Sequence, residues 1–170
     1  MDQPAPAPSF SFRDWLNGLK DWQFTLVLYL LRWAIILPLG YLLSPLSTSG
    51  DNFHPNSSDP LTYLLPIVFF DPAVETFIEC VVPYWVMYGI VKRQPQSPWP
   101  FVIISVLIMV ALHPLTPLVF IFTTITGSFL AFVYGHFASK SQMNAFLHTT
   151  AFHAGINIVG WTGIFLQSIA

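Results

Sequence analysis

The sequence predicts an all-α fold, a multi-pass transmembrane helical bundle of about five spans preceded by an N-terminal interfacial helix. The 170 residues are 54% hydrophobic and only 8% charged, whereas an ordinary globular domain has about 25% charged residues. A water-soluble domain of this size cannot bury so much apolar surface. We therefore expect an integral membrane protein of the multi-pass class, in the cell membrane and in contact with its lipids.

Charge, cysteine content and the chain start narrow the class further. The net charge of −2 gives no reason to expect a nucleic-acid partner, and the single cysteine, Cys80, excludes an internal disulfide framework. The start, "MDQPAPAPSFSF", is rich in proline and alanine and lacks the basic region of a cleavable signal peptide. We expect residues 1–21 to form a tail and an interfacial helix, and residues 22–170 to form one transmembrane domain.

Apolar runs of about 20 residues mark the predicted spans. A polar loop at 44–60 follows the first span, and the apolar residues 61–70 are too few to cross, which suggests a re-entrant or approaching segment. Asp71 is a natural N-cap and Pro72 a natural first residue of the second span. The predicted spans are 22–43, 72–91, 99–112, 118–137 and 143 to the C-terminus.

The positions of the basic residues orient these spans. Five of the six lysines and arginines fall on one side of the membrane if five helices alternate, and the sixth, Arg32, lies inside the first span. Because basic residues concentrate in cytoplasmic segments, we expect the N-terminus in the cytoplasm and the C-terminus outside.

Polar residues within apolar spans are functional candidates, because they are costly in hydrocarbon. Alternation places Glu75 and His113 toward the outer side. His153 and Asn157 are four residues apart and share one helical face, between the middle and the outer end of the last span. We therefore expect these four residues to converge at a similar depth.

Such a cluster suits the activation of water. A carboxylate in a low-dielectric site can act as a general base, and a histidine beside it can hold the same water or pass a proton to a leaving amine. A second histidine and an amide suit a developing oxyanion. Glu75, His113 and His153 could also bind zinc, but no HExxH motif is present. We expect no cofactor, with zinc as the minor alternative.

The same residues resemble a known family, the CAAX protease and bacteriocin-processing superfamily of intramembrane endopeptidases. Its pattern is Glu-Glu-x-x-x-Arg, then Phe-x-x-x-His, then His-x-x-x-Asn or Asp. The chain has "HAGIN" at 153–157 for the third motif, "MVALH" at 109–113 for the second and "ETFIEC" at 75–80 for the first. In the first motif, Thr76 replaces the second glutamate and Cys80 replaces the arginine.

The resemblance implies a role for each matched residue. Glu75 would activate water, His113 would help to hold that water, and His153 with Asn157 would stabilise the oxyanion. A membrane-associated protein or peptide would be the substrate. "FVYGH" at 132–136 is a competing match to the second motif, but His136 is expected at the inner end of its span, so His113 is the favoured residue.

Arg32 and Glu79 are the supporting candidates. Arg32 could replace the missing arginine by pairing with Glu79, which is one turn from Glu75 on the same face. Alternatively, Arg32 snorkels or faces a polar cavity. The functional alternatives are an intramembrane endopeptidase and, because the first motif has lost two positions, a non-catalytic membrane protein on the same scaffold, such as a bacteriocin self-immunity or assembly factor. A transporter or proton relay is a weaker third.

Overall fold

The protein is described by a computed structural model that covers residues 11–46, 64–90 and 98–168. Every regular element in these ranges is a helix. A single turn, α1 (Phe12–Asn17), leads into α2 (Asp21–Leu43), which ends in a short 3₁₀ turn. The remaining long helices are α3 (Pro66–Ile90), α4 (Trp99–Leu112), α5 (Pro117–Ala138) and α6 (Gln142–Ser168).

The predicted helices 22–43, 99–112 and 118–137, and the predicted start of the last helix at 143, agree with the structure to within one residue. The predicted start of the second span at Asp71 and Pro72 is wrong. Asp71 has helical backbone angles and continues a helical segment that is already present at Leu64 and Leu65. Residues 66–70 are therefore the first turn of α3 and not a separate approach segment.

Prolines account for two of the wider, π-helical segments of α3. The helix alternates between α-helical and wider π-helical segments, and the π segments Pro66–Phe70 and Phe77–Val81 end just before Pro72 and Pro83. A proline inside an α-helix removes one hydrogen bond and its ring collides with the carbonyl four residues earlier. A wider turn relieves that collision, so α3 continues through both prolines.

The long helices alternate in direction around a common core. Short turns make α5 antiparallel to α4 and to α6. Helix α2 runs antiparallel to α5, because Phe24 stacks on His136 whereas Arg32 bonds Thr126. One end of the bundle therefore holds His113 and the other holds Lys140; we call these the His113 end and the Lys140 end.

Small residues allow α4 and α5 to approach closely. A Cβ atom added to Gly127 would lie 2.8 Å from Met109 Sδ, which is closer than packed atoms normally lie. Ala131, four residues later, is fully buried on the same face. This agrees with the small-residue spacing in α5, which is typical of helices that pack in membranes.

Two helices, Asp21–Leu43 and Pro117–Ala138, are long and apolar enough to cross a membrane. Helix α4 is apolar but shorter, with 14 residues. The fold is thus all-helical in the described residues, and the expectation of five membrane spans stays a prediction.

Candidate functional site

The site is built on a contact between α3 and α6. His153 Nε2 lies 3.2 Å from Glu75 Oε2, and the two side chains are 4% and 30% exposed respectively. A carboxylate can only accept a hydrogen bond, so the Nε2 proton of His153 is the one that points at Glu75 when Glu75 is ionised. The histidine is enclosed by the bundle, while the glutamate keeps an open side that a water or a substrate can reach.

His113 lies at the end of α4, where the chain leaves the helix. Its backbone is extended, and its Nδ1 atom lies 2.8 Å from the carbonyl oxygen of Met109. A carbonyl oxygen only accepts, so Nδ1 of His113 donates. In the neutral ring, Nε2 is then an acceptor. His113 interacts electrostatically with both Glu75 and His153, which places it at the same end of the bundle.

Asn157 is one turn beyond His153 on α6. Its Nδ2 atom donates to the carbonyl oxygen of Ile67 at 2.9 Å, and this bond ties α6 to the first turn of α3. One of the two amide protons is therefore engaged in a contact that the sequence did not reveal. The role of Asn157 in stabilising an oxyanion stays a prediction. The second amide proton is the donor that remains for that role.

The predicted ion pair between Arg32 and Glu79 is wrong. Arg32 is buried, and its Nη2 atom donates to Thr126 Oγ1 at 3.1 Å while the guanidinium lies 4.2 Å from the centroid of the Trp33 ring. Neither carboxylate oxygen of Glu79 has a hydrogen-bond partner. The guanidinium therefore points toward α5 and toward the next residue on α2. The Thr126 hydroxyl accepts its hydrogen bond, and the face of the Trp33 ring interacts favourably with its charge.

Thr126 is the partner of Arg32, and sequence reasoning missed it. It lies one position before Gly127 on α5, and its hydroxyl accepts a hydrogen bond from the buried guanidinium of Arg32. Arg32 in turn interacts electrostatically with His153. The sequence shows that this threonine lies beside a glycine suited to close helix packing. Nothing in the sequence indicates that the threonine would bond an arginine on α2.

His136, the competing match to the second motif, belongs to the Lys140 end. It stacks on Phe24 with ring centroids 3.8 Å apart, and its electrostatic neighbours are Lys140, Asp21 and His148. His148 itself stacks on Phe137 and lies 3.2 Å from Thr25 Oγ1. Both histidines are half-buried against aromatic rings. The geometry favours His113 as the partner of Glu75.

No three histidine, cysteine or carboxylate side chains among the described residues are grouped to hold a metal. A cavity of about 1220 Å³ lies on the Lys140 side, where Phe24, Tyr88 and His136 contribute to its walls. None of Glu75, His113, His153 and Asn157 lines it.

Comparisons of the chain with protein-family models, with curated proteins and with solved structures found no match. The resemblance described above therefore depends on the three short motifs alone.

Proposed function

We propose that the chain is a multi-pass integral membrane protein that hydrolyses peptide bonds of membrane-associated substrates, with a water activated by Glu75. The observation that carries the proposal is the 3.2 Å contact between Glu75 and the enclosed ring of His153. It brings a partly open carboxylate and an imidazole together at the end of the bundle that also holds His113.

The surface of the bundle supports the membrane assignment. Large apolar side chains are exposed along the lengths of the helices, while Arg32 and Glu79 are buried inside. This distribution reverses that of a soluble protein and suits a lipid surround. Exposed tryptophans gather near the Lys140 end, at Trp15, Trp22 and Trp99, as in the aromatic belt at a membrane interface.

The proposed reaction begins with a water held between Glu75 and His113. Glu75 takes a proton from this water while the water oxygen attacks the scissile carbonyl carbon. The neutral Nε2 atom of His113 accepts a hydrogen bond from the same water, since Nδ1 of His113 is occupied by Met109. When the carbon–nitrogen bond breaks, the proton on Glu75 passes to the leaving amine.

Donors near Glu75 are available for the developing oxyanion. The Nε2 proton of His153 is already at the site, and the second amide proton of Asn157 is one turn away on the same face of α6. A preorganised donor in a water-poor site contributes more than it would in water. His153 would thus orient Glu75 in the resting state and stabilise the oxyanion during reaction.

One observation favours a non-catalytic membrane protein as the second candidate function. Thr76 and Cys80, at the positions of the second glutamate and the arginine of the first motif, are both fully buried in the core. A protein that has kept the fold and lost the catalysis would retain the helical contacts and tolerate these replacements. A self-immunity or assembly factor would be of this kind.

A cleavage assay in membranes distinguishes the two functions. The full chain is reconstituted in vesicles with a library of reporter peptides anchored in the bilayer. Glu75→Gln, His113→Gln and His153→Gln should each abolish cleavage, while Asp21→Asn and His148→Gln, at the opposite end, should not. Cleavage that survives all three site changes would show that the site is misassigned. No cleavage by the folded wild type across the library would favour the non-catalytic function.

A further inference from the structure

Glu79 is the buried acidic group that the proposed reaction does not use. Its side chain is 1% exposed, and neither carboxylate oxygen has a hydrogen-bond partner among the described residues. The segment that carries it, Phe77–Val81, packs against α4, α5 and α6. An ionised carboxylate with no partner in such a place is strongly unfavourable, so a positive species or a proton must accompany it.

Two contacts along α3 fix the level of Glu79 in the bundle. Toward the His113 end, Glu75 contacts His153 of α6; toward the Lys140 end, Tyr84 packs against Phe101 of α4 with ring centroids 5.4 Å apart. Helix α3 runs antiparallel to both partners. Glu79 is four residues after Glu75 and five residues before Tyr84. It therefore lies, to within about one helical turn, at the level of the residue four before His153 on α6 and of the residue four after Phe101 on α4.

Hydroxyl groups occupy both of those positions. Thr149 is four residues before His153, and Ser105 is four residues after Phe101. Both side chains are almost fully buried, and neither hydroxyl has a hydrogen-bond partner. Thr76, one turn before Glu79 on α3, is also buried with an unpartnered hydroxyl. Three helices thus bring unpartnered oxygen atoms to one level of the core.

The hydroxyls of Ser105 and Thr149 do not donate to a carbonyl of their own helix. Thr150 also lacks a partner, but four hydroxyls elsewhere in the described helices donate to the carbonyl four residues earlier, as is common in helices; they are Thr25, Thr124, Ser128 and Thr162. Ser105 and Thr149 do not, so their oxygens are free for another ligand.

We propose that Glu79, Thr76, Ser105 and Thr149 form a buried site for a monovalent cation, sodium in particular. Hard cations take oxygen ligands, and these side chains supply only oxygen. One carboxylate provides one negative charge, which balances a monovalent ion and leaves a divalent ion short of charge and ligands. The cation supplies the positive partner that Arg32, bonded to Thr126, does not.

Thermal unfolding of the full chain in detergent micelles tests the site. At a hundredfold excess over its Kd, sodium chloride should raise the Tm of the wild type by about 5–10 °C relative to choline chloride at equal concentration. Glu79→Gln should remove this sodium-specific shift, and Ser105→Ala and Thr149→Val should reduce it. Thr162→Val, which changes an exposed hydroxyl bonded to its own helix, should leave it intact. A shift retained in Glu79→Gln, or absent from the folded wild type, overturns the proposal.

A chemical probe of the wild type covers the case in which the variants do not fold. Dicyclohexylcarbodiimide modifies protonated carboxyl groups in apolar surroundings, and a bound cation displaces that proton. Sodium chloride, compared with choline chloride, should therefore protect Glu79 from modification, as measured by mass spectrometry of its peptide. Equal modification in both salts would mean that Glu79 binds a proton in place of sodium and would overturn the proposal.

Discussion

His153 and Glu75 meet across the packed faces of α6 and α3, with Nε2 and Oε2 3.2 Å apart. The pair joins a histidine that is enclosed by the core to a glutamate that keeps an open side. This asymmetry is what a water-activating site requires, because the base must reach water while its partner holds it in place.

The pair should also contribute to stability. Groups in contact commonly show coupling energies of 0.5–3 kcal/mol in double-mutant cycles. Because Glu75 is partly exposed, we expect about 1 kcal/mol from a cycle of Glu75→Gln and His153→Gln, measured by unfolding in micelles. Strictly additive effects of the two changes would show that the side chains do not interact.

Arg32 should depend on Thr126 and not on Glu79. Thr126→Val removes the hydroxyl that the buried guanidinium donates to, and an unsatisfied buried group costs about 1–3 kcal/mol. Adding Arg32→Met to Thr126→Val should recover much of this loss, because both polar partners are then gone. A charge-swapped Arg32→Glu and Glu79→Arg double variant should not recover the stability lost in either single variant. If the double variant did recover stability, Arg32 and Glu79 would form the ion pair that the sequence suggested.

Gly127 should tolerate a branched side chain poorly, because α4 and α5 pack closely there. Gly127→Val forces α4 and α5 apart at Met109, and overpacking of this kind costs about 1–3 kcal/mol. Gly127→Ala should cost less, since the sulfur of Met109 is part of a flexible side chain. Gly160→Ala is the matched control, because an added Cβ there meets nothing within 4 Å. A Tm for Gly127→Val equal to that of Gly160→Ala would contradict the packing described here.

The two ends of the bundle should label from opposite sides of the membrane. Cys80 is buried, so the natural chain is expected to give little background with a membrane-impermeant thiol reagent. Leu115→Cys, at the exposed turn of the His113 end, should react in intact cells. Lys140→Cys should react only after lysis. The reverse pattern would invert the predicted topology and place the site toward the cytoplasm.

Any peptidase activity should survive metal chelation. The described residues do not group three metal-binding side chains around Glu75, and the proposed reaction uses the carboxylate itself as the base. Treatment with 1,10-phenanthroline should leave the cleavage rate unchanged. Loss of activity that zinc restores would assign Glu75, His113 and His153 to a metal site instead.

The helices were predictable because their ends are marked by strong local features. Trp99–Leu112 follows from an apolar run that ends at His113 and Pro114, and the structure has the same bounds. The beginning of α3 was not predictable from Asp71 and Pro72, because cap residues indicate a helix start only when the preceding residues are not helical. Wide turns allow this helix to pass through its prolines, and sequence patterns do not reveal such turns.

The site was predictable to the extent that it depends on spacing. The shared face of His153 and Asn157, and the level of Glu75, follow from helix periodicity and alternation. The tertiary hydrogen bonds were not predictable. Arg32 donates to Thr126, and Asn157 donates to the carbonyl oxygen of Ile67. A backbone carbonyl carries no signal in the sequence, and a buried arginine has several acceptors within reach.

The most direct test of the account is the rate at which the Glu75→Gln variant cleaves a reporter peptide that the wild type cleaves, with both embedded in the same vesicles. Glutamine keeps the size of the side chain and removes the base. Because a positioned general base contributes about 10²–10⁴-fold, we expect a rate of about a hundredth of the wild-type rate or less, with Asp21→Asn unchanged. A Glu75→Gln variant that cleaves within twofold of the wild-type rate would contradict it.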